Sequence, residues 1–132
     1  MLGGFAASAR GMLTVQVLLV SLLPGMMMMS LIYANNYRDI VSDSRAGVRS
    51  FAYRTQKHGN LIYNLCLFAP YALGVAFVFF RIVPAFIFLT FLTLPYAVRL
   101  KRMFKSGALD IDSREGMLFT IYNLLLIAAM LI

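Results

Sequence analysis

The sequence predicts an all-α fold, a polytopic bundle of membrane helices, and three observations carry that prediction. Of 132 residues, 61% are hydrophobic and only 13% charged, against about 45–50% and about 25% in a soluble domain. Mean hydropathy is +0.81. The apolar residues gather into four stretches close to the roughly 20 residues that a spanning helix needs. None of them alternates with the period of two that a membrane-barrel strand requires; MMMMSLIYA and FLTFLTLPYAV are continuous.

The first expected span runs from Met12 to Ala34. Its apolar stretch is too long, and its basic start too weak, for a signal peptide. The second covers Leu61 to Phe80, the third Val83 to Val98 and the fourth Met117 to Ile132. The last two are short and need thinned lipid or packing against neighbours. Pro24, Pro70, Pro84 and Pro95 stand in or beside these spans, and membrane helices tolerate proline where neighbours satisfy the freed carbonyl. Cys66, alone, has no internal bridge and reads as a packing residue. The Met26–Met29 run and the phenylalanines from Phe77 to Phe91 read as packing bulk. Asn64 and Asn123 are expected to bond neighbouring helices. Tyr63, Tyr71, Tyr96 and Tyr122 suit interfacial anchors. His58 reads as a surface histidine, and Asp110, Asp112 and Glu115 as a solvated loop.

The formal charge is +7. Because the basic residues flank apolar spans, the expected partner is the lipid bilayer and not nucleic acid. Four crossings place Arg38, Arg45, Arg49, Arg54, Lys57, Arg99, Lys101, Arg102, Lys105 and Arg114 on one side. Arg10 and Arg81 fall on the other. That asymmetry makes the first side cytoplasmic.

Chemistry concentrates in the stretch 35–58, which begins NNYRDIVSDSRAGVR. Asn35, Asp39 and Asp43 are spaced by four, so a continuing helix sets them in one stripe that drifts by about 40° per step. Two carboxylates and an amide oxygen on one face suit Mg²⁺, which binds through one or two carboxylates plus substrate phosphates. Asn36 lies about 100° to the side of Asn35. Arg38, Arg45, Arg49 and Arg54 supply guanidinium forks for phosphate oxygens. Metal ligands, anion ligands and a membrane edge together point to a diphosphate with a lipid tail. The bland alternative pairs Asp39 and Asp43 with these arginines on a solvated loop.

At these residues the chain resembles the UbiA superfamily of membrane prenyltransferases. The second aspartate-rich motif of its menaquinone branch, NNxRDxxxDxxAGxRT, is met by Asn35-Asn36-Tyr37-Arg38-Asp39, then Asp43, then Ala46-Gly47-Val48-Arg49-Ser50. IYNLCLFAPY, LTLPYAVRLKRMFKSGAL and the final helix are also similar to the C-terminal part of the animal, menaquinone-making members.

The resemblance implies a bundle of about nine helices, Mg²⁺ held by two aspartate motifs, an isoprenyl diphosphate donor and an aromatic quinone-precursor acceptor. On this chain it assigns Asp39 and Asp43, with Asn35, to the metal, and Asn35, Asn36, Arg38 and Arg49 to the diphosphate. An animal protein of this kind would sit in an endoplasmic reticulum, Golgi or mitochondrial membrane, its aspartate loop facing the cytoplasm. The chain departs from the pattern at Ser44-Arg45, where relatives often carry another charged pair, and at Gln56, where a glycine is usual. The first motif, NxxxDxxxD, has no counterpart, since no acidic residue precedes Asp39. Residues 1–132 are therefore expected to be the C-terminal portion of such an enzyme, a fragment or half of a split pair with a missing N-terminal half, and inactive alone. The alternatives are another DxxxD lipid-diphosphate transferase, though the DG…AR element of the CDP-alcohol class is absent, and a non-catalytic four-helix membrane protein.

Overall fold

A computed structural model describes residues 15–131. The start of the first expected span at Met12, with Arg10 before it, and the final Ile132 lie outside the described residues. Among the described residues every regular element is a helix. Helix α1 covers Val15–Arg38, α2 Ile40–Arg45, α3 Phe51–Thr55 and α4 Gly59–Phe79. A short 3-10 turn, Gln56–His58, joins α3 to α4. A 3-10 segment, Ala85–Thr93, then runs directly into α5, Leu94–Ser106, and α6 covers Ile111–Leu131.

Three stretches are long and apolar enough to cross a membrane: Val15–Arg38, Phe51–Phe79 and Ile111–Leu131. The third expected span, 83–98, is not one long α-helix. Its first part winds as a 3-10 helix, and local chemistry explains why. Pro95 has no N–H to offer Phe91, one α-turn back. The Leu94 N–H takes the Phe91 carbonyl instead, three residues back. Thr90 Oγ1 donates to Ile87 O at 2.8 Å and Thr93 Oγ1 to Thr90 O at 2.6 Å. With three residues per turn, Ile87, Thr90 and Thr93 stack along one buried edge.

Side-chain contacts fix the course of this rod. Phe104 lies on Tyr63 with centroids 4.0 Å apart, Thr93 bonds Tyr71 at 2.7 Å, and Ile87 reaches Gly74. The rod thus runs antiparallel along the whole of α4. At roughly 2.0 Å per 3-10 residue and 1.5 Å per α residue it is about 38 Å long, enough to traverse a hydrocarbon core of about 30 Å. Helix α6 runs parallel to α4, since Glu115 meets Tyr63 and Tyr122 meets Tyr71. Helix α1 is antiparallel to both; its Tyr37 comes against Gly59, where a Cβ would overlap the tyrosine ring. The motif stretch and the α5–α6 turn therefore share one end of the bundle, and Arg81 marks the other.

The core is a seam between these elements, with Leu23, Met27, Leu67, Leu100, Leu118 and Leu126 fully buried. The outer faces are apolar too: Val15, Leu65, Phe79, Leu92 and Leu124 are exposed, as a lipid-facing surface requires. Three expectations change. Helix α6 begins at Ile111, not Met117, so Asp112 and Glu115 belong to a helix and Glu115 is fully buried. Tyr63, Tyr71 and Tyr122 are core residues and not interfacial anchors. Asn123 does not bond a neighbouring helix; its Nδ2 donates to Phe119 O, one turn back, at 2.7 Å. That carbonyl is reachable without any interhelical geometry. Asn64 Oδ1 is buried and has no partner among the described residues.

Candidate functional site at the basic end of the bundle

The stripe of Asn35, Asp39 and Asp43 survives the end of α1. Asp39 has φ −89° and ψ 4°, enough to interrupt regular helix. Yet Asp39 N still donates to Asn35 O at 3.1 Å and Asp43 N to Asp39 O at 2.9 Å. The four-residue hydrogen-bond register passes through the break, so all three residues keep one face. Helix α2 then stops in a Schellman turn: Val48 N donates to Asp43 O at 2.8 Å and Gly47 N to Ser44 O at 3.2 Å. Gly47 sits at φ +77°, a left-handed conformation that costs other residues about 1–2 kcal/mol. This is the physical reason for a glycine at that place in the motif. Beyond the turn, Ser50 caps α3 by accepting from Tyr53 N at 3.3 Å, and Arg49 lies exposed on the link.

Arg38 organises the site. Its Nε donates to Asp39 Oδ1 at 2.8 Å and its Nη2 to Asp39 Oδ2 at 3.0 Å. Its Nη1 donates to Asp112 Oδ2, on α6, at 2.5 Å. The fork of Arg38 holds the Asp39 carboxyl below the usual carboxylate range. Asp43, Asn35 and Asn36 make no side-chain bond among the described residues. Arg45, Arg49, Arg54 and Lys57, on the same stretch of chain, are exposed. The pairing of Asp39 with a neighbouring arginine is the solvated-loop alternative, realised for one of the two aspartates.

The implied metal can be tested on the donors. Asp39 and Asp43, one turn apart in one helical register, carry hard carboxylate oxygens, and Asn35 carries an amide oxygen one turn before them. That is the ligand type and number Mg²⁺ takes when substrate phosphates complete its shell. The described residues hold no group of three His, Cys, Asp or Glu side chains suited to a metal, so a closed all-protein cage is not present among them. The residues fit a metal shared with a phosphate ligand, provided Arg38 yields Asp39.

Beneath the site the bundle is fastened by groups that the sequence pattern did not single out. Glu115 Oε1 accepts from Ser30 Oγ at 2.5 Å and Oε2 accepts from Tyr63 O–H at 2.5 Å. One carboxyl group thus ties α6 to α1 and α4. Tyr63 is stacked on Phe104, which also meets Tyr37 at 4.8 Å. The signal that would have found Glu115 is its spacing: Ile111, Glu115, Leu118, Tyr122, Leu126 and Ala129 form the buried stripe of α6. His58 and Asp110 are exposed as anticipated, Asp110 paired with Arg114 at 2.6 Å. Tyr96 lines a shallow apolar groove of about 230 Å³ with Met117 and Ile121. No motif residue lines that groove.

The chain matches the UbiA prenyltransferase family over residues 1–130. It belongs to that family. No curated protein and no solved structure matches it significantly. The UbiA assignment makes the chain part of a group of membrane prenyltransferases, in keeping with its helical bundle and its three stretches able to cross a bilayer.

Proposed function

We propose that this UbiA chain carries the second aspartate cluster of a menaquinone-type, Mg²⁺-dependent prenyltransferase, and that its basic end faces the cytoplasm. The observation that carries the reading is the Asn35–Asp39–Asp43 face, kept in register through the end of α1, with Arg38, Arg45 and Arg49 on the same stretch of chain. Asp39 and Asp43, with Asn35, hold the metal. Asn36, Arg38 and Arg49 donate N–H groups to the diphosphate of an isoprenyl donor. The bound Mg²⁺ supplies neutralisation of the charge that develops on the leaving diphosphate. The allylic C–O bond breaks, its electron pair leaves with the diphosphate, and the electron-rich ring of a quinone precursor captures the carbon and loses a proton.

Residues 1–132 contain one aspartate cluster where the family uses two. The reading therefore takes them as the C-terminal portion of the enzyme, able to bind a metal–diphosphate weakly but not to turn it over. Purified chain in detergent should give no prenylated product, and sustained turnover without a partner would refute this. Asp39→Ala and Asp43→Ala should each abolish Mg²⁺-dependent binding of farnesyl diphosphate. Unchanged binding would favour the second reading, a non-catalytic membrane protein. The pairing of Asp39 with Arg38 speaks for that reading.

A further inference from the structure

Arg38 has five N–H groups, and three of them are in use, two on Asp39 and one on Asp112. The two anchors differ in kind. Asp39 sits at the helix break and is also wanted by the metal. Asp112 is on α6, one turn from Glu115, whose two oxygens are fastened to α1 and α4. Its backbone is thereby fixed relative to the end of α1, as a supporting residue must be. Asp112 lies outside the aspartate motif, 74 positions along the chain from Arg38.

We propose that Asp112 is a positioning residue for diphosphate binding, holding the Arg38 guanidinium in place when metal and substrate take Asp39. Arg38 covers Asp39 with two hydrogen bonds and balances its charge. With Asp39 engaged by a metal, the Arg38 Nε and Nη2 donors would be free while Nη1 would keep its bond to Asp112. The guanidinium then presents its freed edge, together with its unspent N–H groups, to the diphosphate oxygens. Without Asp112, Arg38 has Asp39 as its one carboxylate partner and competes fully with the metal. The inference rests on the function proposed above and adds a residue from a different helix to it.

The test is a double-mutant cycle on the detergent-solubilised chain, read by equilibrium dialysis of farnesyl diphosphate at fixed Mg²⁺. Asp112→Asn should weaken binding by about ten-fold, the size expected for a hydrogen bond to a charged group, and Asp112→Glu should recover most of it. In an Arg38→Gln background, Asp112→Asn should have no further effect. Unchanged affinity in Asp112→Asn would overturn the inference, as would an equal loss in both backgrounds, which marks a merely structural role. Should Asp112→Asn fail to fold, as read by helix content and elution volume, Asp112→Glu decides: affinity below one-tenth of the parent's counts against the inference. If the parent chain binds no farnesyl diphosphate in the presence of Mg²⁺, or binds it equally well as Asp39→Ala, the proposed function itself fails and the role of Asp112 with it.

Discussion

Asp112 and Glu115 stand three residues apart on one helix and face opposite demands. Glu115 is fully buried, and both its oxygens are consumed by Ser30 and Tyr63. Asp112 is partly open and holds one fork of an arginine shared with the motif. The same contrast separates the whole basic end from the seam below it. In the seam, polar groups serve the bundle. At the end, Asp43, Asn35, Asn36 and Arg49 make no side-chain bond among the described residues, which is what a ligand needs and what stability does not. Substitutions should therefore sort by level.

The largest effect is expected at Glu115. Removing it with Glu115→Ala strands the buried Tyr63 hydroxyl, at about 1–3 kcal/mol, and cuts the tie to Ser30, which keeps only the Met27 carbonyl, so detergent-phase unfolding should shift by about 3 kcal/mol. Glu115→Gln, which keeps the shape and one acceptor, should lose less than half of that. A parent-like midpoint for Glu115→Ala would break the distinction between the two levels. Next comes Phe104→Ala, which removes the ring stacked on Tyr63. In lipid the water-transfer part of such a loss is absent, so about 2 kcal/mol is expected and not the 3–5 kcal/mol of a soluble core. Gly47→Ala forces a Cβ into left-handed backbone and should cost about 1 kcal/mol, read as fraying of α2 by amide exchange. Asp43→Ala should leave stability within about 0.5 kcal/mol while removing metal-dependent binding.

The smallest effect is acid titration of Asp39. Its carboxyl is held below the ordinary range by Arg38, so the pairing is fully present above the unfolded value of about 3.9. It is lost as pH falls through the lower folded value. The Arg38 Nε resonance should therefore move only below about pH 4, with little change in stability, because the pair is exposed. Movement near neutral pH would contradict the assignment.

These sites differ in how far the sequence reveals them. Hydropathy alone places α1, α4 and most of α6, because lipid imposes a length and a composition on each span. The motif face follows from a spacing of four. Basic residues gather at one end because the turns that carry them do. Glu115 escaped because a carboxylate beside Arg114 and Asp112 looks like the edge of a solvated loop. Only the packing of three helices supplies the two hydroxyls that make its burial tolerable. The 3-10 winding escaped because it depends on a missing donor at Pro95 and on threonine hydroxyls competing for carbonyls, not on hydrophobicity.

That tighter winding has a geometric corollary. Nine residues make about three turns at three per turn and about two and a half at 3.6. Relaxation of Ala85–Thr93 to α-helix would shorten the piece by about 4–5 Å and swing one of its ends by half a revolution against the other. With α5 docked through Phe104 and the far end tied by Ile82 N to Phe77 O at 2.8 Å, Ile87 and Thr93 could not both keep their inward seats. The coil is held wound from both ends, like a spring clamped in a frame.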